Sequence, residues 1–383
     1  MGSRQALAPL TAIKPVDRRA FLRSTWRASL GVSLAASLAL STRARSEPLL
    51  ERAQFALLES YPHNDRSVAR LLDSNGETLA RIPLSLRGHG FVQDGERLWV
   101  FGRRPRKTMA CIRLDRLSQE RVVQAAPNRH FYGHGAMLGD YLLTTENDTE
   151  TLQGRVGVYD RQGTKLDDLP LPGAGPHEII ALPGGKCLVC LGGLETHPDY
   201  GREPFNRTDF TSQLLLLDPG RNRVEQLLPG PQAAGISLRH AAALEAQVGA
   251  QVGAQVLIGG QRYDAARASE SKLLWHFDGQ RLTPLDLSEP LGGYVGSVTA
   301  SQDGFLVSLR NRNQVLELDA TGQPLEWHSL DQPIALAASA GQRLLAGPGG
   351  GRLAPGASLD VAPTAELDNH AIALSMLSAT KQP

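Results

Sequence analysis

Histidine recurs along this sequence behind a small residue or an arginine, at the start of an apolar run. The instances are His89, His134, His177 and His240, and a fifth copy, His370, lies near the C-terminus. The intervals between the first four are 45, 43 and 63 residues. The first two intervals are close to the length of a β-propeller blade. If each histidine opens the innermost strand of its blade, five imidazoles face one central funnel, around which propeller blades are arranged.

A metal is the first chemistry that such a funnel indicates. Neutral imidazole is a common metal ligand, and Glu178 beside His177 would extend the set, so His134, His177 and Glu178 are the candidate metal ligands. The sequence establishes no cofactor, and the candidate is a divalent metal or iron. We expect a funnel about 10 Å or more across, too wide for all five imidazoles to contact one ion. The role that we expect first for the histidines is structural, with each one hydrogen-bonded to backbone at a blade junction. Binding of another ligand by two or three of them also stays open.

Polar residues collect in loops that we predict on the same face as the histidines, where propeller loops carry function. If the protein catalyses a reaction, Glu178 is the candidate catalytic residue of a metal-assisted hydrolase or lactonase-like propeller enzyme. No Gly-x-Ser-x-Gly motif supports nucleophilic hydrolysis. The full set of candidate ligand-binding residues is His89, His134, His177, Glu178, His240, His370, Glu146, Asn147, Glu195, His197 and Arg202.

The elements that must position these side chains are short strands. After Pro48 the chain reads as runs of four to six apolar residues bounded by Asp-Gly, Gly-Asp and Pro-Gly turns, with almost no helical periodicity. This pattern predicts an all-β, seven-bladed propeller with four strands in each blade.

The first blade lacks an innermost strand, because residues 54–58, 67–72 and 78–84 supply only three strands. Residues 370–374 are the natural fourth. We therefore expect the N- and C-terminal strands to pair and close the ring, which removes exposed sheet edges. The tandem duplication at 246–256 is expected to lengthen one hairpin of the fifth blade.

An export signal precedes the strands. Residues 17–23 fit a twin-arginine pattern around Arg18 and Arg19, and a moderately apolar segment follows at 28–41. That segment is too short to span a bilayer stably. We expect residues 1–45 to be the signal peptide and 46–383 to be a single propeller domain in the periplasm, without membrane insertion after the signal is removed.

Charge and cysteine content exclude some functions. Residues 1–45 hold eight Lys/Arg and one acid, which leaves 32 Lys/Arg against 38 Asp/Glu, a net charge of −6, in the rest of the chain. Nucleic-acid binding is not expected, because it needs a basic surface. Cys187 and Cys190 form a C-x-x-C within one predicted strand. Residues three apart on a strand face opposite sides, so we expect two buried small hydrophobes.

Several motifs resemble one family of twin-arginine-exported proteobacterial proteins, classed as a domain of unknown function, number fifteen-thirteen. The similarity covers about residues 48–375, and Leu194-Glu-Thr-His-Pro-Asp-Tyr-Gly-Arg202 is its most specific part. The other stretches that carry it are residues 87–91, 130–135, 144–148, 154–160 and 175–178. The sequence departs from the family's expected Asn-Gly-Gly at Gly192-Gly193, and its last blade is short and rich in Ala and Gly.

The resemblance implies a periplasmic propeller, commonly encoded beside imelysin-like and di-haem proteins of iron uptake, which are the expected partners. It implies a setting and no particular reaction. The leading hypothesis is a monomeric binding or docking protein of an iron- or metal-acquisition system, with its ligand or partner over the histidine-lined funnel. The alternatives are the metal-assisted enzyme and a pure protein-interaction scaffold with structural histidines.

Overall fold

The computed structural model of this chain describes residues 49–375, apart from 62, 232–234, 249–250, 265–271, 340 and 362–364. The predicted export signal at 1–45 lies outside the described residues. Within them, none of the helices has the length and apolar character that crossing a membrane requires.

Seven antiparallel sheets of four strands make up the described chain. Blade 1 contains the first three strands and the last one: β1 (Phe55–Tyr61), β2 (Arg66–Leu72), β3 (Thr78–Pro83) and β28 (Glu366–Ala373). Blades 2 to 4 follow in chain order: β4 (Gly88–Asp94), β5 (Arg97–Gly102), β6 (Thr108–Arg113), β7 (Ser118–Gln124), β8 (Arg129–Leu138), β9 (Tyr141–Asp148), β10 (Gly154–Asp160), β11 (Lys165–Pro170), β12 (Pro176–Leu182), β13 (Lys186–Leu191), β14 (Gln213–Asp218) and β15 (Arg223–Pro229).

Blades 5 to 7 continue the same arrangement, each with four consecutive strands. Their strands are β16 (Ile236–Val248), β17 (Gln251–Arg262), β18 (Leu274–Phe277), β19 (Leu282–Pro284), β20 (Ser297–Ala300), β21 (Gly304–Leu309), β22 (Gln314–Asp319), β23 (Pro324–Ser329), β24 (Ala335–Ser339), β25 (Gln342–Gly347), β26 (Gly350–Ala354) and β27 (Ser358–Leu359).

The seven blades form a ring, and the innermost strand of each blade faces its centre. Strands β28, β4, β8, β12, β16, β20 and β24 contact one another in that order, and β24 contacts β28 again. The seven strands therefore surround one central axis. The predicted seven-bladed β-propeller is confirmed.

The two ends of the described chain close the ring. Strand β28 pairs with β1, with Ala371 opposite Leu57 and Leu367 opposite Glu59. Leu367 and Phe55 of blade 1 share an apolar cluster with Ala335 of blade 7, so the last blade packs on the first. The predicted pairing of N- and C-terminal strands is confirmed, and it leaves the innermost position of blade 1 filled.

Apolar side chains between neighbouring blades form the core. Leu58 of blade 1 packs with Leu98 and Val100 of blade 2, for example. Strands buried on both faces need apolar residues at successive positions, which explains the short unbroken runs in the sequence. Cys187 and Cys190 are both buried but belong to different clusters, as predicted for opposite faces of β13.

The longest hairpin lies in blade 5. Strands β16 and β17 pair from Ile236 opposite Arg262 to Val248 opposite Gln251. The duplicated sequence at 246–256 falls in this hairpin, so the prediction that it lengthens one hairpin is confirmed.

Replacing Leu367 tests the closure of the ring. Its side chain is 1% exposed because β28 places it between the sheets of blades 1 and 7. We expect Leu367→Ala to lower the free energy of unfolding by about 2–5 kcal/mol. Glu366→Ala, at an exposed neighbour in the same strand, should change it by less than about 0.5 kcal/mol. Urea unfolding of both variants gives the comparison, and two equally neutral substitutions would contradict closure through β28.

Candidate functional site

Each of the five predicted histidines lies at an irregularity of its innermost strand. The pairing of the innermost strand with its neighbour shifts register at His89 and at His177. On β8 the register shifts between Phe131 and Gly135, the segment that contains His134. It shifts immediately before His240, and the strand carrying His370 has its shift between Leu367 and Ala371. A β-bulge bends the strand and redirects a side chain. The bulges thus turn the imidazoles towards the axis.

The two remaining blades lack both features. Strands β20 and β21 pair in unbroken register from Ser297, and β24 and β25 do so from Ala335, in the part of the chain that is described. Ser297 and Ala335 open the corresponding innermost strands and are buried. A bulge therefore accompanies each axial histidine and is missing where the axial residue is small.

Glycines beside the histidines allow the rings to approach closely. A Cβ on Gly133 would lie 2.4 Å from Cδ2 of His89, and one on Gly90 would lie 2.6 Å from the Gly133 carbonyl oxygen. Gly133 also has a φ of +103°, in the region that L side chains rarely adopt. The small residues around these histidines are thus needed for the contact between blades 2 and 3.

The five imidazoles form one compact group, here called the histidine cluster. Eight of its ten ring pairs have centroids between 4.7 and 6.4 Å apart. Ligand atoms of His89, His134 and His177 lie within 4.8 Å of one another, and so do those of His134, His240 and His370. The predicted placement of all five around one axis is confirmed.

The funnel was expected to be too wide for all five imidazoles to contact one ion. The ligand atoms of the described histidines fall in groups of three, and neither group contains all five side chains. Within a group the rings approach closely, with the centres of His134 and His177 4.7 Å apart. His134 is common to both ligand groups, so the two groups adjoin.

Glu178 connects two members of the cluster. One carboxylate oxygen lies 2.9 Å from Nδ1 of His134, and the other lies 3.4 Å from Nδ1 of His240. Burial raises the pKa of Glu178, and its hydrogen bond with His240 opposes that shift. The carboxylate therefore orients two rings from the side, and the opposite nitrogen of each ring is left for another contact.

Each histidine of the cluster has a buried ring nitrogen without a hydrogen-bond partner among the described residues. These nitrogens are His89 Nδ1, His134 Nε2, His177 Nδ1, His240 Nε2 and His370 Nε2. A buried polar atom without a partner costs about 1–3 kcal/mol. Five such atoms at one place are far from the usual pattern, in which nearly all buried polar groups are satisfied.

The imidazoles are neutral near pH 7. Burial, together with the positive charges of Arg239 and Arg104, lowers the pKa of His134 to about 3. Burial also lowers the pKa of His240 to about 3, although Glu178 acts in the opposite direction. For the other three, burial and neighbouring charged groups lower the pKa well below 6.5. A neutral imidazole keeps one nitrogen lone pair available for a ligand.

A threonine holds the backbone of two cluster residues. The buried hydroxyl of Thr145 lies 3.2 Å from the carbonyl oxygen of His134 and 3.4 Å from that of His177. It joins blades 3 and 4 at the axis. Within the described residues, no side chain of the cluster hydrogen-bonds a backbone group. Thr145 therefore makes the contact between blades that we had considered for the histidines.

Glu146 is on a strand and not on a loop of the face that carries the histidines, contrary to our prediction. It lies inside blade 3 on β9, where it accepts hydrogen bonds from Thr144 and Tyr159 and pairs with Lys165. The prediction treated residues 146–154 as a loop, but β9 extends to Asp148. Side chains alternate along a strand, and Glu146 points into the blade.

Three other candidates also lie outside the cluster. Asn147 is buried on β9 opposite His130, again in a strand and not in a loop. The Asn147 side-chain oxygen and nitrogen have no hydrogen-bond partner among the described residues. The backbone N–H of Glu195 donates to the side-chain oxygen of Asn206. His197 accepts a hydrogen bond from the backbone nitrogen of Asp199 and caps a short 3₁₀ turn. These contacts assign local structural roles to Glu195 and His197.

Arg202 lies at a cavity of about 460 Å³, here called the arginine cavity. Among the described residues that line it, Glu203 is the one acid. The arginines that line it are Arg103, Arg104, Arg202, Arg207, Arg239 and Arg310. Arg239, which lines the cavity, directly precedes His240 in the chain, so the cavity adjoins the cluster.

Sequence reasoning missed the residues that support the site. Thr145 and Gly133 lie in motifs of the family resemblance, but no role was predicted for either. Arg239 was considered only as the residue before His240. The repeated small residue or arginine before each histidine was the available signal, because the register shifts at the histidine, as at His89, or at the residue before it, as at Arg239.

The fold and the cluster define a seven-bladed propeller with an axial group of five histidines. This chain belongs to the family described as "Protein of unknown function (DUF1513)", which matches residues 82–374. The match begins in blade 1 and continues to the end of the closing strand, and it confirms the family suspected from the motifs.

No curated protein matches the chain. Among solved structures, it is similar to a chain from "Crystal structure of Nidogen/Laminin Complex", at 11% sequence identity and a TM-score of 0.48. The match covers 72% of this chain and 93% of that chain. A likeness of this size carries no information about function.

Replacing Gly133 tests whether the cluster depends on close contact between blades. Gly133→Ala would place a methyl group against His89 and would strain the positive φ. We expect a loss of about 1–3 kcal/mol in the free energy of unfolding and displaced imidazole NMR signals. Gly139→Ala is the control, because Gly139 has a φ of +60° but no atom within 4 Å of the added carbon. Equal effects of both substitutions would contradict the steric role.

Proposed function

We propose that this protein binds a first-row transition-metal ion at the histidine cluster. The observation that carries the proposal is the convergence of five buried imidazole nitrogens without partners. Because each such atom is destabilising, the cluster is costly unless a ligand satisfies it. A metal ion accepts several lone pairs in one small volume, which matches the spacing of the two ligand groups.

Glu178 supports this interpretation. Metal-binding histidines usually donate their other ring N–H to a carboxylate, which fixes the orientation of the ring. Glu178 stands beside Nδ1 of both His134 and His240, and Nε2 is the unpartnered nitrogen in both. The pattern is that of a second ligand sphere around an ion.

The donor atoms indicate the kind of metal. Imidazole suits zinc, copper, iron and nickel, whereas magnesium and calcium prefer oxygen ligands. Since the donors are nitrogens, we infer an ion from the first group. The three ligands of either group would leave a four-coordinate ion one further position.

The cellular setting forms part of the same proposal. The twin-arginine pattern at Arg18 and Arg19 supports export to the periplasm. There we infer a binding or docking role in metal acquisition, with imelysin-like and di-haem proteins as the partners that the family setting favours. The loop at 192–212, with Tyr200 and Phe205 exposed, is the docking surface we propose.

Metal analysis tests the proposed function. Protein purified without chelator should contain a first-row transition ion, and metal-free protein should bind one in a competition titration. We expect Glu178→Gln to lower the affinity about 10–100-fold by releasing two rings, and His134→Ala to lower it further. Circular dichroism checks that both variants fold.

His328→Ala is the matched control for the metal titration. His328 is also buried and lies within 3.3 Å of Glu317 and Glu326 on blade 6, a third group whose ligand atoms lie close enough to hold an ion, so its variant reports any metal bound outside the cluster. It should leave the affinity unchanged. Wild-type protein that binds no ion, or loss of metal only in His328→Ala, would overturn the proposal and favour a scaffold with structural histidines.

Replacing both signal arginines tests export. We expect Arg18→Lys with Arg19→Lys to retain the full-length chain in the cytoplasm, since the pair is what the export route reads. Arg23→Lys, in the same segment, should be exported normally. Fractionation followed by mass determination shows the outcome, and normal export of the double variant would refute the twin-arginine assignment.

A further inference from the structure

The arginine cavity has a charge that the metal site does not explain. Six arginines and a single acid line it among the described residues. Residues 46–383 carry a net charge of −6, so the positive charge here is local. A volume of about 460 Å³ is in the range of small-molecule sites.

Two of these arginines are buried with unused donors. Arg104 is 9% exposed, and its Nη1 has no hydrogen-bond partner among the described residues. Arg239 is 6% exposed, and its Nε is likewise unpartnered there. Charged groups are almost never buried without a counter-charge, because the loss of hydration is costly.

Aromatic rings supply the contacts that these arginines do have. The guanidinium of Arg104 lies 4.7 Å from the centre of the Tyr132 ring, and Nη1 of Arg239 donates to the hydroxyl of Tyr263. These contacts hold the guanidiniums in position without neutralising them. Pre-positioned donors of this kind are suited to a ligand that carries negative charge.

Arg202 is exposed and adds a third guanidinium to the lining of the cavity. Desolvation and the charges of Arg103, Arg104 and Arg239 lower its pKa. In the described part of the chain, no carboxylate forms an ion pair with Arg104, Arg202 or Arg239. Like charges held together without a counter-ion repel, and a bound anion would remove that repulsion.

We propose that the arginine cavity binds a small polyanion with two or more carboxylate or phosphate groups, held by Arg104, Arg202 and Arg239. Several guanidiniums match several anionic groups, since each planar fork can donate hydrogen bonds to two oxygens. A monovalent anion would leave most of the positive charge uncompensated.

The position of the cavity connects the polyanion with the histidine cluster. Arg239 directly precedes His240 in the bulge of β16, and its charge acts on His134, His177 and His370. Among the side chains that the structure describes, Glu178 is the carboxylate that lies against the cluster. The polyanion would therefore stabilise the bound ion. This coupling rests on the proposed metal site, but the anion site does not depend on it.

Anion titrations of metal-free full-length protein test this proposal. The probes are citrate and inorganic pyrophosphate, with acetate and chloride as monovalent comparators. We expect at least one polyanion to bind about tenfold or more tightly than acetate, and Arg104→Gln, Arg202→Gln and Arg239→Gln each to lower its affinity about tenfold. Binding of citrate, pyrophosphate or both supports the proposal, and the comparison identifies carboxylate or phosphate.

Two controls separate this inference from the metal proposal. Arg116→Gln, at an exposed arginine outside the cavity, should leave anion binding unchanged. His134→Ala should lose the metal and still bind the polyanion. If the wild-type protein binds the polyanion but no metal, only the proposed metal site is refuted. Absence of polyanion binding to wild-type protein, or equal losses in Arg116→Gln and the well-folded Arg202→Gln, would overturn the anion site.

Discussion

The pairing of β28 with β1 is the constraint on which the rest of the structure depends. Without it, blade 1 has no strand at the axis, and His370 has no fixed position. With it, His370 stands 4.8 to 5.1 Å from the rings of His89, His134 and His240. Closure of the ring and assembly of the cluster are therefore one event, and the last strand contributes to both.

The cluster is stabilised by packing elsewhere. Unpartnered imidazoles at the axis oppose folding, and the apolar clusters between blades offset them. Proteins accept such local cost mainly at functional sites, where strain and unsatisfied groups are retained for binding. A ligand that binds only the folded ring would return part of that free energy by mass action.

The sequence predicted the fold well because its signals are local. Blade-length spacing, turn residues and a surplus strand near the C-terminus were enough to place seven blades and their closure. Distances at the axis were not predictable, because they depend on bulges and on glycine contacts between blades, such as Gly133 against His89. Glu146 was misplaced because a strand boundary differed by only a few residues, and alternation then changed its side.

Five blades carry an axial histidine and two do not, and this difference follows from the limited space at the axis. Rings whose centres are about 5 Å apart leave little space between the innermost strands for two more side chains of that size. Ser297 and Ala335 stand where the sixth and seventh would come, and their strands need no bulge. Because close-packed interiors tolerate little added volume, two small residues are the condition under which five imidazoles can meet.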